Sequence, residues 1–550
     1  MDPATSSTAP TPTPAPTTWL PPLLTTAVLL WLSWKLWRFL KYPPPPSFRY
    51  RSVVILVLGD IGRSPRMMYH AESFARIPFE TYLIGYGGSE PIPSLRRVPH
   101  VHFVYLSEPP SFLSKIPFVI SAPFKIGLQI ASILYALLFQ VINPPEFILV
   151  QNPPSIPTLA MVWLISRIRG SKVIIDWHNL GYTILALKLG DKHLFVRLAK
   201  KFEAVFGRVA YAHLFVTQAM HDFLVKEWDL VGIKAILHDR PPKHFRRMSA
   251  QSVHRLFREL APHFTQAPLA GFVPPFSLPY STPFTTTPSA PHSKPPTSSA
   301  QSDSSGTYDK VSPPEMRSDR PALIVSSTSW TPDEDFSILL RALDSYEKKA
   351  RKANTPSKSG KKLPKLVVII TGKGPQKAMY MEKLHKLQTG KGGEGWKWVR
   401  CISMWLEAKD YPILLGSADL GVCLHSSSSA LDLPMKVVDM FGCGLPVCAL
   451  DFPCLHELVK EGINGVTFQT AEQLADRFEE LLSSFPNAPA LAALRLSLHE
   501  SSHPPPGTPP PPRRRGKEDV HWEWGTWDDN WNKVVRPIIL NDVTKEDAWW

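Results

Sequence analysis

Lys436 and Asp439 stand three residues apart in LDLPMKVVDMFGCGLPV, and together they are suited to holding a phosphorylated sugar. The run predicts a short helix with Pro434 in its first position and Gly442 and Gly444 at its end. Lys436 then lies in the first turn, where the helix dipole disfavours a cation unless an anion shares the site. Free backbone N–H groups in that turn attract phosphate. Asp439, on the same face, is placed to accept hydrogen bonds from sugar or ribose hydroxyls. A surface ion pair between the two is the plainer alternative. LVVIITGKGP offers a second phosphate-binding element, because Gly372, Lys373 and Gly374 follow a β-run and glycines let backbone N–H groups approach an anion closely. Lys377 occupies the place of the third glycine of a dinucleotide fingerprint, and Trp396 follows Gly395 where a Walker A motif needs lysine. Both departures argue against an NAD enzyme and an ATPase.

Two further loops carry acid, base or positive charge. LGDIGRSPRMMYHAESFA presents Asp60, Arg63 and Arg66 after a strand, and VIIDWHN presents His178 and Asn179 beside Asp176. Asp333 and Asp335 spell a DxD that can hold a divalent ion. Thr331 as N-cap, Pro332 at N1 and Glu334 at N3 explain the same residues as a capping box, the preferred reading.

These loops need strands and helices to position them. VVILVLG, TYLIGY, HFVYL, FILVQN and KVIIDW read as strands of a first Rossmann-like domain over residues 50–245, each ending in polar residues where ligands of open α/β sheets sit. ALIVSS and LVVIIT open a second such domain over 321–497. Between them, Pro/Ser/Thr-rich residues 262–318 predict a disordered insert, and a Pro/Arg-rich stretch over 502–518 predicts another. Residues 519–540 read as a Trp-rich amphipathic helix.

The 550 residues suffice for two domains, and 61 Lys+Arg against 47 Asp+Glu give a net charge of +14, suited to phosphorylated substrates or a lipid surface. No motif supports nucleic acid as a partner. The 5 cysteines form no CxxC pair, so neither a zinc site nor a disulfide framework is predicted. Residues 1–17 are a Pro/Thr/Ser-rich tail, and 18–40 form an apolar run with Lys35 and Arg38 at its far end, about the length a bilayer requires. The basic residues follow the apolar run, which argues for an anchor over a cleaved signal and puts the bulk of the chain in the cytosol. Ile126 to Ile142 is short for a span and reads as a buried or membrane-skimming helix.

LGDIGRSPRMMYHAESFA, QNPPSIPTL, VIIDWHNLGYT, SSTSWTPDEDFSILLRAL, VIITGKGP, YPILLGSADLGVCLH and LDLPMKVVDMFGCGLPV, in this order, resemble the chitobiosyldiphosphodolichol β-mannosyltransferases. The resemblance implies a GT-B fold, two Rossmann-like domains facing a cleft, with an N-terminal transmembrane helix. It implies GDP-mannose as donor and GlcNAc2-diphosphodolichol as acceptor, at the endoplasmic reticulum membrane, with a luminal N-terminus and cytosolic catalytic domains. The lipid bilayer is then a partner, and other mannosyltransferases of the pathway are candidate neighbours. No cofactor is required, GDP-mannose being a substrate, and no divalent metal is called for. Gly372, Lys373, Gly374, Asp432, Lys436 and Asp439 fall on the donor side, and Arg63, Arg66 and Asn179 on the acceptor or phosphate side. Retaining GT-B relatives carry an acid eight positions before the counterpart of Asp439. Here Leu431 holds that place and Asp432 is one residue late, which suits inversion. An inverting reaction needs a base, for which Asp60 is the first choice, with Arg63 keeping it ionised, and His178 the second. Capping by Asp60 and packing of His178 against Asp176 are the plainer readings. A retaining GT-B enzyme acting on another polyprenyl-linked sugar, and a non-catalytic membrane scaffold, are the alternatives.

Overall fold

The computed structural model describes residues 51–108, 110, 118–288, 313–355, 362–390, 395–426, 429–502 and 525–540, with short breaks at 78 and 332–333, and five helical positions between 26 and 34. The expected anchor over 18–40 and the insert over 502–518 therefore lie almost wholly outside the described residues, as does the tail over 1–17.

Seven strands form the first sheet: β1 (Ser52–Asp60), β2 (Glu80–Tyr86), β3 (Val101–Tyr105), β4 (Phe147–Asn152), β5 (Lys172–Trp177), β6 (Val209–Phe215) and β7 (Val231–Ile236). Their order is β3-β2-β1-β4-β5-β6-β7, and every pairing is parallel. Helices cover both faces, so the central strands bury both sides, and VVILV in β1 is apolar without alternation for that reason. The second sheet comprises β8 (Ala322–Ser327), β9 (Leu366–Thr371), β10 (Val399–Met404), β11 (Leu420–Cys423), β12 (Val447–Leu450) and β13 (Gly465–Phe468), in the order β10-β9-β8-β11-β12-β13, again all parallel. In both sheets the order reverses beside the first strand, which opens a crevice at the carboxyl ends. Two doubly wound domains with such crevices constitute the GT-B arrangement.

Two expectations need correction. Residues 262–288 are folded: Phe264, Leu269, Phe272 and Phe284 are buried in the second domain's core with Phe257 of the helix Ala250–Glu259, and Thr285–Thr286 pairs with Glu315–Met316. A few large apolar anchors offset the ordering cost of a Pro/Ser/Thr-rich chain. Residues 289–312 lie outside the described residues. The helix after β8 starts at Phe336 with Asp335 as N-cap, its carboxylate accepting from the Ser337 N–H at 2.9 Å, so Thr331 and Glu334 form no capping box. The last helix runs from Trp527 to Leu540 and packs on the first domain, where Trp527, Trp531 and Val535 are buried and the helix contacts the α-helix Pro65–Arg76 and β7.

Among the described residues, polar contacts join the two domains. Asn179 Nδ2 donates to Asp432 Oδ1 at 3.1 Å, and Thr217 Oγ1 to the Leu431 carbonyl at 2.6 Å. Glu457 of the second domain accepts from the N–H groups of Gln218 and Ala219 at 2.7 and 2.8 Å, capping the helix Gln218–Trp228 of the first.

Candidate active site

β5 ends by delivering Asp176 into the crevice of the first domain, fully buried. Arg66 grips its carboxylate with Nε and Nη2, both at 2.8 Å, and uses Nη1 on Asp239 at 2.8 Å and on the Leu237 carbonyl at 2.9 Å. Arg66, expected to offer its charge to a phosphate, is thus committed to the carboxylates of Asp176 and Asp239. His70, one helical turn beyond Arg66, approaches Asp176 Oδ2 at 3.2 Å. Trp531 Nε1 donates to His70 Nδ1 at 3.0 Å, which requires the proton of the neutral ring to sit on Nε2, facing Asp176. Burial holds the His70 pKa down despite Asp176. Burial alone would raise the Asp176 pKa. The charges of Arg66 and His178, with their hydrogen bonds, reverse this and leave it well below the usual carboxylate range.

His178 Nε2 lies 2.8 Å from the same Asp176 oxygen. With Nε2–H donated there, Nδ1 carries the lone pair, and it has no hydrogen-bond partner among the described residues. One fifth of the His178 side chain is exposed. An anionic carboxylate that fixes one imidazole nitrogen orients the ring and leaves the other nitrogen able to accept a proton.

Asp60 is engaged differently. Its Oδ1 accepts from the N–H groups of Gly62 and Ser89, both at 3.0 Å, and its Oδ2 from Ser89 Oγ at 2.6 Å, with Arg63 Nε 3.5 Å away. Burial opposes ionisation, but these bonds and Arg63 outweigh it and lower the Asp60 pKa. The carboxylate ties the loop after β1 to the loop after β2. Both border an open cavity of about 450 Å³ that Arg63, Tyr86 and Glu108 also line.

In the second domain Lys436 occupies the first turn of the helix Met435–Gly442, whose N-cap is Pro434. Its ammonium pairs with Glu334, a buried carboxylate that also accepts from Thr328 Oγ1 and, at 3.0 Å, from the Ser329 N–H. Its ion-pair partner is therefore Glu334 on a different loop, where the plainer reading had Asp439. Asp439 is half-buried, and its carboxylate has no hydrogen-bond partner among the described residues. Desolvation, then the charge of Asp239 across the cleft, raises its pKa well above the ordinary value. Gly372, at φ +134°, and Gly374 abut the loop after β8: a Cβ on either would lie 1.8 Å from the carbonyl oxygen of Thr328 or Ser329. Lys373 Nζ rests 4.0 Å above the Trp405 ring. Asp432 accepts from Asn179 and, at 3.1 Å, from Ser429 Oγ, so it bridges the cleft.

The fold thus gathers His178, Asp176, Arg66 and Asp239 on one wall and Asp439, Lys436 and Glu334 on the other, with Asp60 and Arg63 at a separate cavity. Sequence reasoning passes over Glu334, Asp239, His70 and Trp531. Glu334 had a signal in the acidic run TPDED, which the cap reading absorbed, whereas the others are joined only by the fold.

The family of glycosyl transferases group 1 matches residues 323–484, the second domain. Over 494 residues the chain is 39% identical to the chitobiosyldiphosphodolichol beta-mannosyltransferase of Mus musculus, covering 90% of each. It is 38% identical over 515 residues to the protein of that name in Homo sapiens, covering 94% of this chain and 96% of the relative. It is also 38% identical over 502 residues to the UDP-glycosyltransferase TURAN of Arabidopsis thaliana, covering 89% and 97%. With these similarities and its two facing parallel-sheet domains, the chain is a glycosyltransferase of the GT-B fold and belongs to the chitobiosyldiphosphodolichol beta-mannosyltransferase family.

Proposed function

We propose that the protein transfers mannose from GDP-mannose to GlcNAc2-diphosphodolichol with inversion, forming a β-1,4 linkage, and that His178 is the base. The observation that carries this reading is the His178–Asp176–Arg66 array facing the Lys436 and Asp439 wall across one cleft. His178 Nδ1 takes the proton of the acceptor hydroxyl as its oxygen bonds to the anomeric carbon. The bond from that carbon to the diphosphate breaks, and its electron pair leaves with GDP. Asp176 stabilises the imidazolium formed. Lys436 and the N–H groups of its helix's first turn receive the diphosphate, with the loop at Gly372, Lys373 and Gly374 beside them. Asp439, with no partner of its own, accepts from the ribose hydroxyls. His178 is favoured over Asp60 because the oxygens of Asp60 are taken up by Gly62, Ser89 and Arg63. We place the enzyme at the endoplasmic reticulum membrane, with a single N-terminal anchor, a luminal N-terminus and cytosolic catalytic domains.

The test offers the full-length protein a lipid-linked chitobiose and a panel of nucleotide sugars, then digests the product with α- and β-mannosidases. Use of GDP-mannose and release by the β-enzyme alone support the reading. Preference for a UDP-sugar, or an α-linked product, overturns it.

A further inference from the structure

Two imidazoles share one carboxylate oxygen. Asp176 Oδ2 lies 2.8 Å from His178 Nε2 and 3.2 Å from His70 Nε2, with Arg66 Nε also at 2.8 Å. A proton entering this group has two rings to choose from, and like charges so close together oppose charging both. The rings are not equivalent. His178 is one-fifth exposed, whereas His70 is wholly buried. Burial opposes a charge on His70 while Asp176 favours one, and an imidazolium there would turn the carboxylate's field toward a ring that no substrate reaches.

With Nε2–H turned to Asp176, the neutral His70 ring can take a further proton only at Nδ1. Trp531 Nε1 donates to that atom at 3.0 Å. An indole nitrogen donates and does not accept, so a proton on Nδ1 would set two N–H groups against each other inside the core. Packing keeps Trp531 in place: it is 1% exposed, and the Phe74 ring meets it edge-on with ring centres 5.2 Å apart. One turn earlier on the same helix, Trp527 stands edge-on to His70 at 5.0 Å and carries the Arg66 guanidinium 5.4 Å above its ring centre. Its own N–H goes to Ser73 Oγ at 3.0 Å. The helix Trp527–Leu540 thus covers His70 with two indoles.

The other charged groups around the two rings are few. Arg66 comes from the helix Pro65–Arg76, and Asp239, which Arg66 also holds, from the loop after β7. Asp439 of the second domain faces Asp239 across the cleft. The last helix turns its acids elsewhere, Asp528 to Arg76 and Lys243 and Asp529 to Thr526. None of these supplies or removes a proton at His70 Nδ1, so the indole of Trp531 decides the state of that ring.

We propose that Trp531 and His70 are positioning residues for the base: the indole N–H closes the one lone pair on which His70 could be charged, so His70 stays a neutral donor to Asp176 and the carboxylate's charge is reserved for the imidazolium of His178. The inference rests on His178 being the base, as proposed above. In the reaction the proton of the acceptor hydroxyl goes to His178 Nδ1 and stays on that ring, because His70 Nε2 already carries a proton and Nδ1 is closed.

The experiment follows turnover of the full-length protein against pH on a soluble short-chain acceptor, with GDP affinity measured alongside. Trp531→Phe opens His70 Nδ1 to a proton, and a charged His70 weakens the base. The acid limb of the profile should therefore move up by about one pH unit, so that turnover falls about tenfold near pH 6 and little near pH 8.5, with GDP affinity unchanged. Glutamine can place an amide N–H where His70 Nε2–H stands and carries no charge. His70→Gln should accordingly keep most of the turnover that His70→Ala loses, and in Trp531→Phe/His70→Gln the shift of the limb should vanish. A loss that is equal at every pH, or that persists in the double variant, reveals a merely structural role and overturns the proposal. So does a His70→Gln variant as impaired as His70→Ala, a comparison that leaves Trp531 untouched. His178→Ala separates the two assignments: its near-normal turnover removes the base itself, whereas its expected loss, joined to an unmoved limb in Trp531→Phe, removes only the part given to Trp531 and His70.

Discussion

Lys436 carries a charge that the first turn of its helix would reject if it stood alone, and buried Glu334 compensates it. Lys436→Ala should weaken donor binding by the roughly 1.5–3 kcal/mol of a charge-assisted phosphate contact. It should also destabilise the fold by about 1–3 kcal/mol, because Glu334 is left buried and unpaired. Calorimetry on the double variant Lys436→Ala/Glu334→Gln separates the two effects: stability should return and donor affinity should not. Asp439 presents the opposite balance. Its folded pKa is raised, so its favourable contribution is complete below an ordinary carboxylate pKa of about 4 and is lost as pH rises through the folded value. Asp439→Asn should therefore raise Tm at pH 7 by about 2–4 °C, the shift expected for 1 kcal/mol in a domain of this size, while weakening GDP binding. Thermal melts at pH 4 and 7 check the sign, since the gap should close at the lower pH. Lys436, Asp439 and His178 are legible in sequence because a helix start and a strand end are local patterns. What holds Asp176 is not, because Arg66 and His70 come from 110 and 106 residues away.

The helix Trp527–Leu540 returns from the end of the chain to support the first domain's site. Trp531 packs against Phe74 with ring centres 5.2 Å apart and fixes the tautomer of His70 through its indole N–H. Trp531→Phe keeps most of the packing and removes the donor, leaving a buried His70 nitrogen unpaired at a cost of about 1–3 kcal/mol. The loss should appear as a lower urea midpoint with an unchanged slope, and a changed slope would point to a wider rearrangement. Strands β1 to β5, β8 and β9 can be read in the sequence, and for β1, β4, β8 and β9 burial on both faces makes the run continuously apolar. β7 is harder, since Val231 to Lys234 are exposed on the sheet edge, and β12 and β13 have only four residues each to carry a pattern. Composition misleads at 262–288, where Phe264, Phe272 and Phe284 decide the outcome against a background of Pro, Ser and Thr.

At the scale of the whole molecule, the proposed anchor and the candidate catalytic cleft occupy different parts of the chain. Deleting residues 1–42 should leave an enzyme that turns over a short-chain acceptor but loses efficiency on dolichol in bilayers. Loss of folding, read by circular dichroism, would show the apolar segment to be core. In the proposed reaction the cleft divides labour: one domain would supply the base and the other would bind the nucleotide. The most direct test compares His178→Ala with Asp60→Asn for turnover and for GDP affinity in the full-length protein. The account predicts that His178→Ala loses about 10²- to 10⁴-fold in turnover while binding GDP normally, and that Asp60→Asn, if it folds, retains most of its turnover. Near-normal turnover by His178→Ala, with the loss appearing in Asp60→Asn, would contradict it.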